Sequence, residues 1–227
     1  MTDDKTFLLE CVDKIYHQNL IGVDAANILR EIVHKDEIPL LPSLRSTLFV
    51  NTNPELRYGA SYLLLNYYLE HRMFSLMREL LGNCTDRKVN EFLSLFEGLP
   101  KITDAALEDP NGARLLVTHA ILRKAYKKLI PLLMHKDPAF RKEVCTGLEE
   151  ELLANASCVP CVKGAIDNAV RDGKLTKETV PDSLRSALAG SGTHDPKSRS
   201  AWGLADLFLS SSRTDQGIGR SKKKILN

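Results

Sequence analysis

Apolar residues recur at three- and four-residue spacing along almost every segment up to about residue 189, which is the period of a helix with one buried face. The first stripe consists of Phe7, Leu8, Cys11, Val12, Ile15 and Tyr16. The second consists of Ala25, Ile28, Leu29, Ile32 and Val33. No run of five or more residues alternates between apolar and polar positions, so the pattern favours no strand. The sequence therefore predicts an all-α fold of about ten helices.

Prolines, glycines and capping residues predict where these helices begin and end. Asp24 and Ser43 are the predicted N-caps of the second and third helices, and the third ends near Val50. Pro131 is predicted to kink its helix or to mark the true start of that helix. Further helices are predicted over 54–70, 72–82, 86–97, 111–124, 125–136, 138–154, 159–172 and 181–188, with a short turn near 101–108. Short connections of this kind imply antiparallel neighbours.

An Asn-Pro or Asp-Pro pair recurs at the start of three predicted helices, at 53–54, 109–110 and 137–138. The first residue can cap the helix, and the proline fits its first turn. An arginine follows each pair, at Arg57, Arg114 and Arg141. Pro54 and Pro138 lie 84 residues apart, twice 42, and two-helix solenoid repeats have a period of about 40–47 residues. Pro110 does not lie midway between them, so the predicted repeat is irregular.

Two segments carry a resemblance to the HEAT and armadillo superfamily of helical repeats. They are NPELRYGASYLLLNYYLEHRMFSLMRELL (53–81) and DPAFRKEVCTGLEEELLANASCVPCVKGAI (137–166). Each pairs a first helix that bears proline and arginine with a second, apolar helix. The resemblance implies that residues 1–189 form a right-handed α-solenoid of antiparallel helix pairs. It further implies an array that binds other macromolecules and performs no chemistry.

A single segment, ALEDPNGARLL (106–116), is similar to a Pumilio-type RNA-binding repeat, in which a D-x-x-G-x-R run precedes a base-reading helix. That resemblance implies RNA binding as the alternative function. The charge distribution opposes it. The segment from Ala187 to the C-terminus contains seven lysines and arginines and three aspartates, so its net charge is +4. Because the net charge of the whole chain is +2, residues 1–186 have a net charge of −2. A slightly acidic body is a poor electrostatic match for a phosphate backbone.

Composition and cysteine content indicate in which cellular compartment the protein lies. The chain has 227 residues, of which 43% are hydrophobic and 26% charged, as is typical of globular proteins. No apolar run approaches the roughly 20 residues that cross a bilayer, and the N-terminus lacks the pattern of a signal peptide. Five cysteines, an odd number, indicate reduced thiols. We therefore expect a cytoplasmic or nuclear protein without membrane contact.

The pair Cys158 and Cys161, in the sequence CVPC, is the one motif that could carry chemistry. At a helix start, a dithiol can act as a redox pair, because the helix dipole lowers the pKa of a thiol. As half of a zinc site it would need two more ligands, for which Cys145 and His135 are the nearest candidates. The plainer interpretation is two small side chains at a capped helix start. We predict no catalytic residue, no metal and no cofactor, and a thiol- or zinc-dependent protein is the second alternative.

Basic and aromatic residues supply the candidate binding surfaces of the helical region. Arg123, Lys124, Lys127 and Lys128 have the spacing of one helix face and could bind an acidic peptide or phosphates. The alternative interpretation is a solvated face, balanced by acidic residues nearby. A group of aromatic residues could line a recognition groove or belong to the core: Tyr58, Tyr62, Tyr67, Tyr68 and Phe74.

The region from 190 to 227 differs from the rest in composition and is predicted to be a flexible tail. Residues 189–200 are small and polar, as linkers are. The segment AWGLADLFL (201–209) follows, and Trp202, Leu204, Leu207 and Phe208 could dock into a partner or fold back. The basic end, 219–224, could serve nuclear import, anionic contacts or solubility. The prediction is thus a non-catalytic adaptor that binds protein partners with acidic or apolar docking surfaces.

Overall fold

The computed structural model describes residues 3–35, 40–176 and 179–190, and these ranges are helical with no strand. The chain divides into two units, Met1–His194 and Asp195–Asn227. Within the described ranges the helices are α1 (Asp4–His17), α2 (Val23–His34), α3 (Leu40–Val50), α4 (Pro54–Glu70), α5 (Phe74–Asn83), α6 (Asp86–Glu97), α7 (Lys101–Leu107), α8 (Pro110–Leu122), α9 (Leu129–Leu133), α10 (Pro138–Ala154), α11 (Val159–Arg171) and α12 (Asp182–Gly190). Two short 3₁₀ turns, Tyr126–Lys128 and Ala156–Cys158, lie between them. The predicted all-α class is confirmed. None of the described helices has the length and apolarity that a membrane crossing requires.

The three Asx-Pro pairs act as predicted. In α4, α8 and α10 the proline occupies the first turn, and the preceding side chain accepts a hydrogen bond from the backbone two residues later. The acceptors are Asn53, Asp109 and Asp137, each 2.9 Å from the donor nitrogen. Each cap satisfies a backbone N–H group that would otherwise lack a helical partner.

Two predicted caps and two predicted segments are wrong in detail. Gly22 is the N-cap of α2, and Asp24 lies inside its first turn. Ser43 lies within α3, because a proline at position 42 is tolerated in the first turn of a helix. The predicted turn at 101–108 is the helix α7, and the predicted helix 125–136 contains only the short 3₁₀ turn and α9.

Four helices end in the same C-terminal turn, a Schellman motif in which one residue adopts a left-handed conformation. These residues are Asn19 (φ 55°), Arg72 (φ 51°), Lys124 (φ 54°) and Gly173 (φ 68°). In each turn the next N–H group donates to the carbonyl five residues back, over 2.7–3.0 Å in α1, α4 and α8. Only one of the four is glycine, the residue for which this conformation carries no steric penalty.

Helices α4 and α8 are the most deeply buried, with side chains covered on nearly all faces. Helix α4 packs against α1, α2, α3, α5 and α6, whereas α8 packs against α5, α7 and α10, and α10 packs against α12. Gly112 permits the close approach of α7 and α8, since a Cβ atom there would overlap the backbone of Ala106. The burial of apolar side chains from successive helices forms the hydrophobic core.

Candidate functional site

A groove opens on the surface between the end of α1, one face of α4 and one face of α6. It consists of two adjoining cavities of about 310 and 560 Å³ that share Leu20, Tyr58, Glu91 and Leu95. Tyr62 lines the second cavity. We call this region the tyrosine groove. A concave surface that combines apolar lining with a few polar groups is the usual form of a binding site.

Local structure explains why Leu20 lies at the rim of the groove. The Schellman turn at Asn19 reverses the chain after α1, and the Leu20 N–H group donates to Ile15 O over 3.0 Å. The backbone N–H of Gly22 then donates to Glu55 Oε2 on α4 over 2.8 Å, which ties this connection to the groove. As a result Leu20 is 46% exposed, although it is a large apolar residue.

Two tyrosines of α4 supply polar groups to the groove. Tyr58 and Tyr62 are four residues apart and therefore share a helix face. Neither hydroxyl has a hydrogen-bond partner among the residues that the structure describes. Burial, and then the neighbouring Tyr62, raises the pKa of Tyr58, so its phenol stays protonated at neutral pH. A tyrosine hydroxyl can donate one hydrogen bond to a ligand and accept others from it.

Charged residues complete the lining with a small positive excess, three basic side chains against two acidic ones. They are Lys14, Glu55, Arg57, Lys88 and Glu91. Arg57 is only 9% exposed; its Nη1 donates to Thr52 O over 3.0 Å, and its Nη2 lies 3.2 Å from Glu91 Oε2. Lys88 donates to the carbonyl of Phe49. No acidic side chain forms an ion pair with Lys14 or Lys88 in the described part of the chain.

The predicted aromatic group is divided between the groove and the core. Tyr58 and Tyr62 line the groove, although Tyr62 is only 4% exposed and also belongs to the core, and Tyr68 and Phe74 are fully buried. The Tyr67 hydroxyl donates to Asp4 Oδ2 over 3.2 Å, outside the groove. Sequence reasoning missed Leu20 because it lies in a turn, where helical periodicity carries no information.

The predicted basic face is not a helix face, and that part of the prediction is wrong. Helix α8 ends at Leu122, so Arg123 and Lys124 lie in its terminal turn, while Lys127 and Lys128 lie in the 3₁₀ turn. Arg123 forms an ion pair with Glu97, and its Nε donates a hydrogen bond to that carboxylate over 2.8 Å. The three lysines are exposed, and none has an ion-pair partner among the described residues. The other predicted binding residues, Trp202, Leu204, Leu207 and Phe208, lie outside the described residues.

A second concave region joins α5, α8 and α10, and we call it the arginine cleft. Its cavity of about 390 Å³ is lined by polar side chains that include Arg78, Asn111, Arg114 and Glu143. Arg114 Nε donates to Glu143 over 2.7 Å, and its Nη1 donates to Glu150 over 2.9 Å. Arg78 Nη2 lies 2.9 Å from Glu150 as well. The positive charges of both arginines are therefore already paired with carboxylates of the same chain.

The environment of Cys158 and Cys161 opposes the redox interpretation. Cys158 is buried at the start of α11, and this burial raises the pKa of its thiol to about 11, whereas a reactive thiolate needs a lowered pKa. Cys161 is exposed. Across the ranges that the structure covers, no three His, Cys, Asp or Glu side chains group closely enough to hold a metal ion.

The residues that resemble an RNA-binding repeat have contacts within the fold. Asp109 caps α8, Gly112 lies against the backbone of Ala106, and Arg114 pairs with Glu143 and Glu150. Their spacing is thus accounted for by local structure.

In comparisons with known proteins, no family model, no curated protein and no solved structure matches this chain.

Proposed function

We propose that this protein is a non-catalytic adaptor that binds a segment of a partner protein in the tyrosine groove. The observation that carries the proposal is a pair of hydroxyls, those of Tyr58 and Tyr62, that have no hydrogen-bond partner among the described residues and lie beside the exposed side chain of Leu20. Tyrosine is enriched at interface hot spots, because one side chain offers both apolar area and a hydrogen-bonding group.

The chemistry of the groove defines the segment it would take. Leu20 and Leu95 favour an apolar side chain, and the two hydroxyls can donate to main-chain carbonyl oxygens. Lys14 and Lys88 carry the positive excess of the lining and favour an acidic residue. The proposed occupant is therefore a peptide segment that combines one or two apolar residues with an acidic one.

The proposed architecture is a right-handed α-solenoid of antiparallel helix pairs, similar to HEAT and armadillo repeats. Its support is the repeated Asx-Pro cap and the successive packing of α4, α5, α8, α10 and α12. The proposal also includes a second contact through the exposed lysines of 124–128 and through the tail segment 201–209, in the cytoplasm or the nucleus. Solenoid repeats present extended surfaces for such contacts.

A matched pair of leucine substitutions tests the groove. Peptides are selected from a random library displayed on phage against the full chain, and their affinities are measured by fluorescence anisotropy. We expect selected peptides to combine apolar and acidic residues. Leu20→Glu should weaken their binding by about tenfold or more, or roughly 1.4 kcal/mol, because it places an unpaired charge at an apolar contact. Leu153→Glu, at a leucine that is 83% exposed outside the groove, should change binding by less than about twofold.

Two outcomes would contradict the proposal. One is selection without any shared peptide pattern, and the other is an equal loss in both variants. Binding of RNA that weakens steeply with salt, together with no peptide binding, would favour the nucleic-acid alternative. Denaturation curves of both variants, matched to the original chain, show that the comparison concerns binding and not folding.

A further inference from the structure

A second groove lies between α11 and α12 and has a chemistry different from that of the tyrosine groove. Its volume is about 560 Å³. Five apolar side chains form its floor and walls: Ile166, Val170, Val180, Leu188 and Ala189. We call it the α11–α12 groove. An apolar channel bounded by two helices is the surface against which a third helix packs by ridges into grooves.

The charges around this groove are predominantly positive. Lys163, Arg171 and Arg185 line it, against the single acid Asp167. Arg185 pairs with Asp182, and Arg171 Nη2 donates to the neutral side chain of Asn168 over 2.7 Å. Lys163 is exposed and has no ion-pair partner among the described residues. Lys163 and Arg171 therefore have no ion-pair partner among the described residues, and the lining has three basic side chains against one acidic one.

The packing of the preceding helices indicates what kind of element fits here. Helix α8 packs against α10, and α10 packs against α12, so helix-on-helix packing continues through this part of the chain. The α11–α12 groove has the same apolar character as those contacts. A helix is the element that would extend the packing, and the basic rim selects one with acidic flanks.

We propose that the α11–α12 groove binds an acidic amphipathic helix of a partner protein. The apolar stripe of that helix packs against Ile166, Val170 and Leu188, and its acidic flanks pair with Lys163 and Arg171. This site is independent of the tyrosine groove, so either can fail without the other.

Two synthetic peptides test the chemistry directly. Each has about 18 residues, with leucine at i, i+3, i+4 and i+7 spacing and alanine elsewhere on the helix, but the positions that flank the leucines are glutamate in one and lysine in the other. Fluorescence anisotropy with the full chain should show that the glutamate peptide binds at least about tenfold more tightly than the lysine peptide. Higher salt should reduce this difference, because the rim charges are exposed.

Matched variants locate the site. Ala189→Trp places a large side chain into the groove at an exposed position, and it should abolish binding of the glutamate peptide, whereas Ala156→Trp, exposed elsewhere, should not. Lys163→Glu with Arg171→Glu should weaken binding by about tenfold or more. Lys101→Glu with Lys142→Glu, an equal charge reversal outside the groove, is the control and should have a much smaller effect.

Several results would overturn the proposal. Equal binding of both peptides, no binding of either, or binding that Ala189→Trp leaves intact would each exclude it. Concentration-dependent dimers in ultracentrifugation that Arg171→Glu abolishes would identify a second copy as the occupant. Tighter peptide binding by a full-length variant with Trp202→Asp and Phe208→Asp would identify residues 201–209 as the occupant of the groove and would overturn the assignment of a partner protein.

Discussion

The tyrosine groove and the arginine cleft are both open, concave and lined by charged and polar side chains, yet they differ in how those groups are satisfied. In the cleft, Arg78 and Arg114 are paired with carboxylates of α10 at 2.7–2.9 Å. In the groove, the hydroxyls of Tyr58 and Tyr62 have no partner among the described residues, and Leu20 is exposed. Concavity alone therefore does not distinguish a binding site. We infer the proposed site from the unused hydrogen-bonding capacity of its side chains.

The cleft has a structural role that follows from its position between three helices. Thr118 on α8 donates to Glu151 on α10, and Arg78 on α5 donates to Thr118 over 3.0 Å. Polar groups in this setting stabilise the fold only while all of them are paired. Substitutions in the cleft should therefore change stability, whereas substitutions in the groove should change binding.

The largest effect is expected from Glu151→Ala in the cleft. Glu151 is 7% exposed, and its removal leaves Thr118 without its acceptor and takes one carboxylate from Arg78. We expect the free energy of unfolding, measured by urea denaturation, to fall by about 2–3 kcal/mol. Peptide binding in the tyrosine groove should be unchanged below the denaturation range.

Glu70→Ala, at an exposed glutamate, is the control for that measurement and should change stability by less than about 0.5 kcal/mol. A similar small loss in Glu151→Ala would contradict the structural role of the cleft.

An intermediate effect is expected when a single hydroxyl is removed from the groove. Tyr58→Phe should weaken binding of a selected peptide by about 0.5–1.5 kcal/mol, because one hydrogen bond to the ligand is lost. Its stability should be unchanged, since the hydroxyl has no hydrogen-bond partner in the part of the chain that the structure describes. Isothermal titration calorimetry and denaturation together separate the two quantities.

Tyr67→Phe provides the matched control in the same helix. Its hydroxyl donates to Asp4, so this variant should be slightly less stable. Its affinity for the selected peptide should be unchanged. The opposite pattern would mean that the peptide does not occupy the groove.

The smallest effect on stability is expected at the exposed lysines, which belong to neither concave region. Lys124→Glu with Lys127→Glu should change the free energy of unfolding by less than about 0.5 kcal/mol, because neither lysine has an ion-pair partner in the described part of the chain. If this turn contacts acidic partners, the original full chain should bind polyglutamate with an affinity that falls as salt rises, and the double variant should bind it more weakly. An unchanged affinity would remove these lysines from the proposed partner surface.

Helices with strong local signals could be predicted closely from sequence. The bounds of α4 and α10 follow from a capping residue, a proline in the first turn and an apolar stripe, and the predictions 54–70 and 138–154 match both helices. The region 125–136 could not be predicted in the same way. A lysine in the left-handed conformation ends α8, and lysine carries no sequence signal for that conformation.

The groove could be predicted only in part. The i, i+4 spacing of Tyr58 and Tyr62 places both on one face of α4, but only packing places Glu91 and Leu95 of α6 beside them. The arginines show the same limit. Arg57 and Arg141 follow their prolines by three residues and donate to the preceding loop, whereas Arg114 follows by four and reaches α10 instead.

The left-handed helix ends have a consequence for how this protein tolerates change. Arg72 and Lys124 each hold a conformation that costs a residue with a Cβ atom roughly 1 kcal/mol more than glycine, whereas asparagine, as at position 19, tolerates it better. Replacement of Arg72 or Lys124 by glycine would recover part of that free energy outside both grooves. A glycine at either position would thus offset a destabilising mutation in one of the proposed binding surfaces, so that such a mutation could persist without loss of the fold.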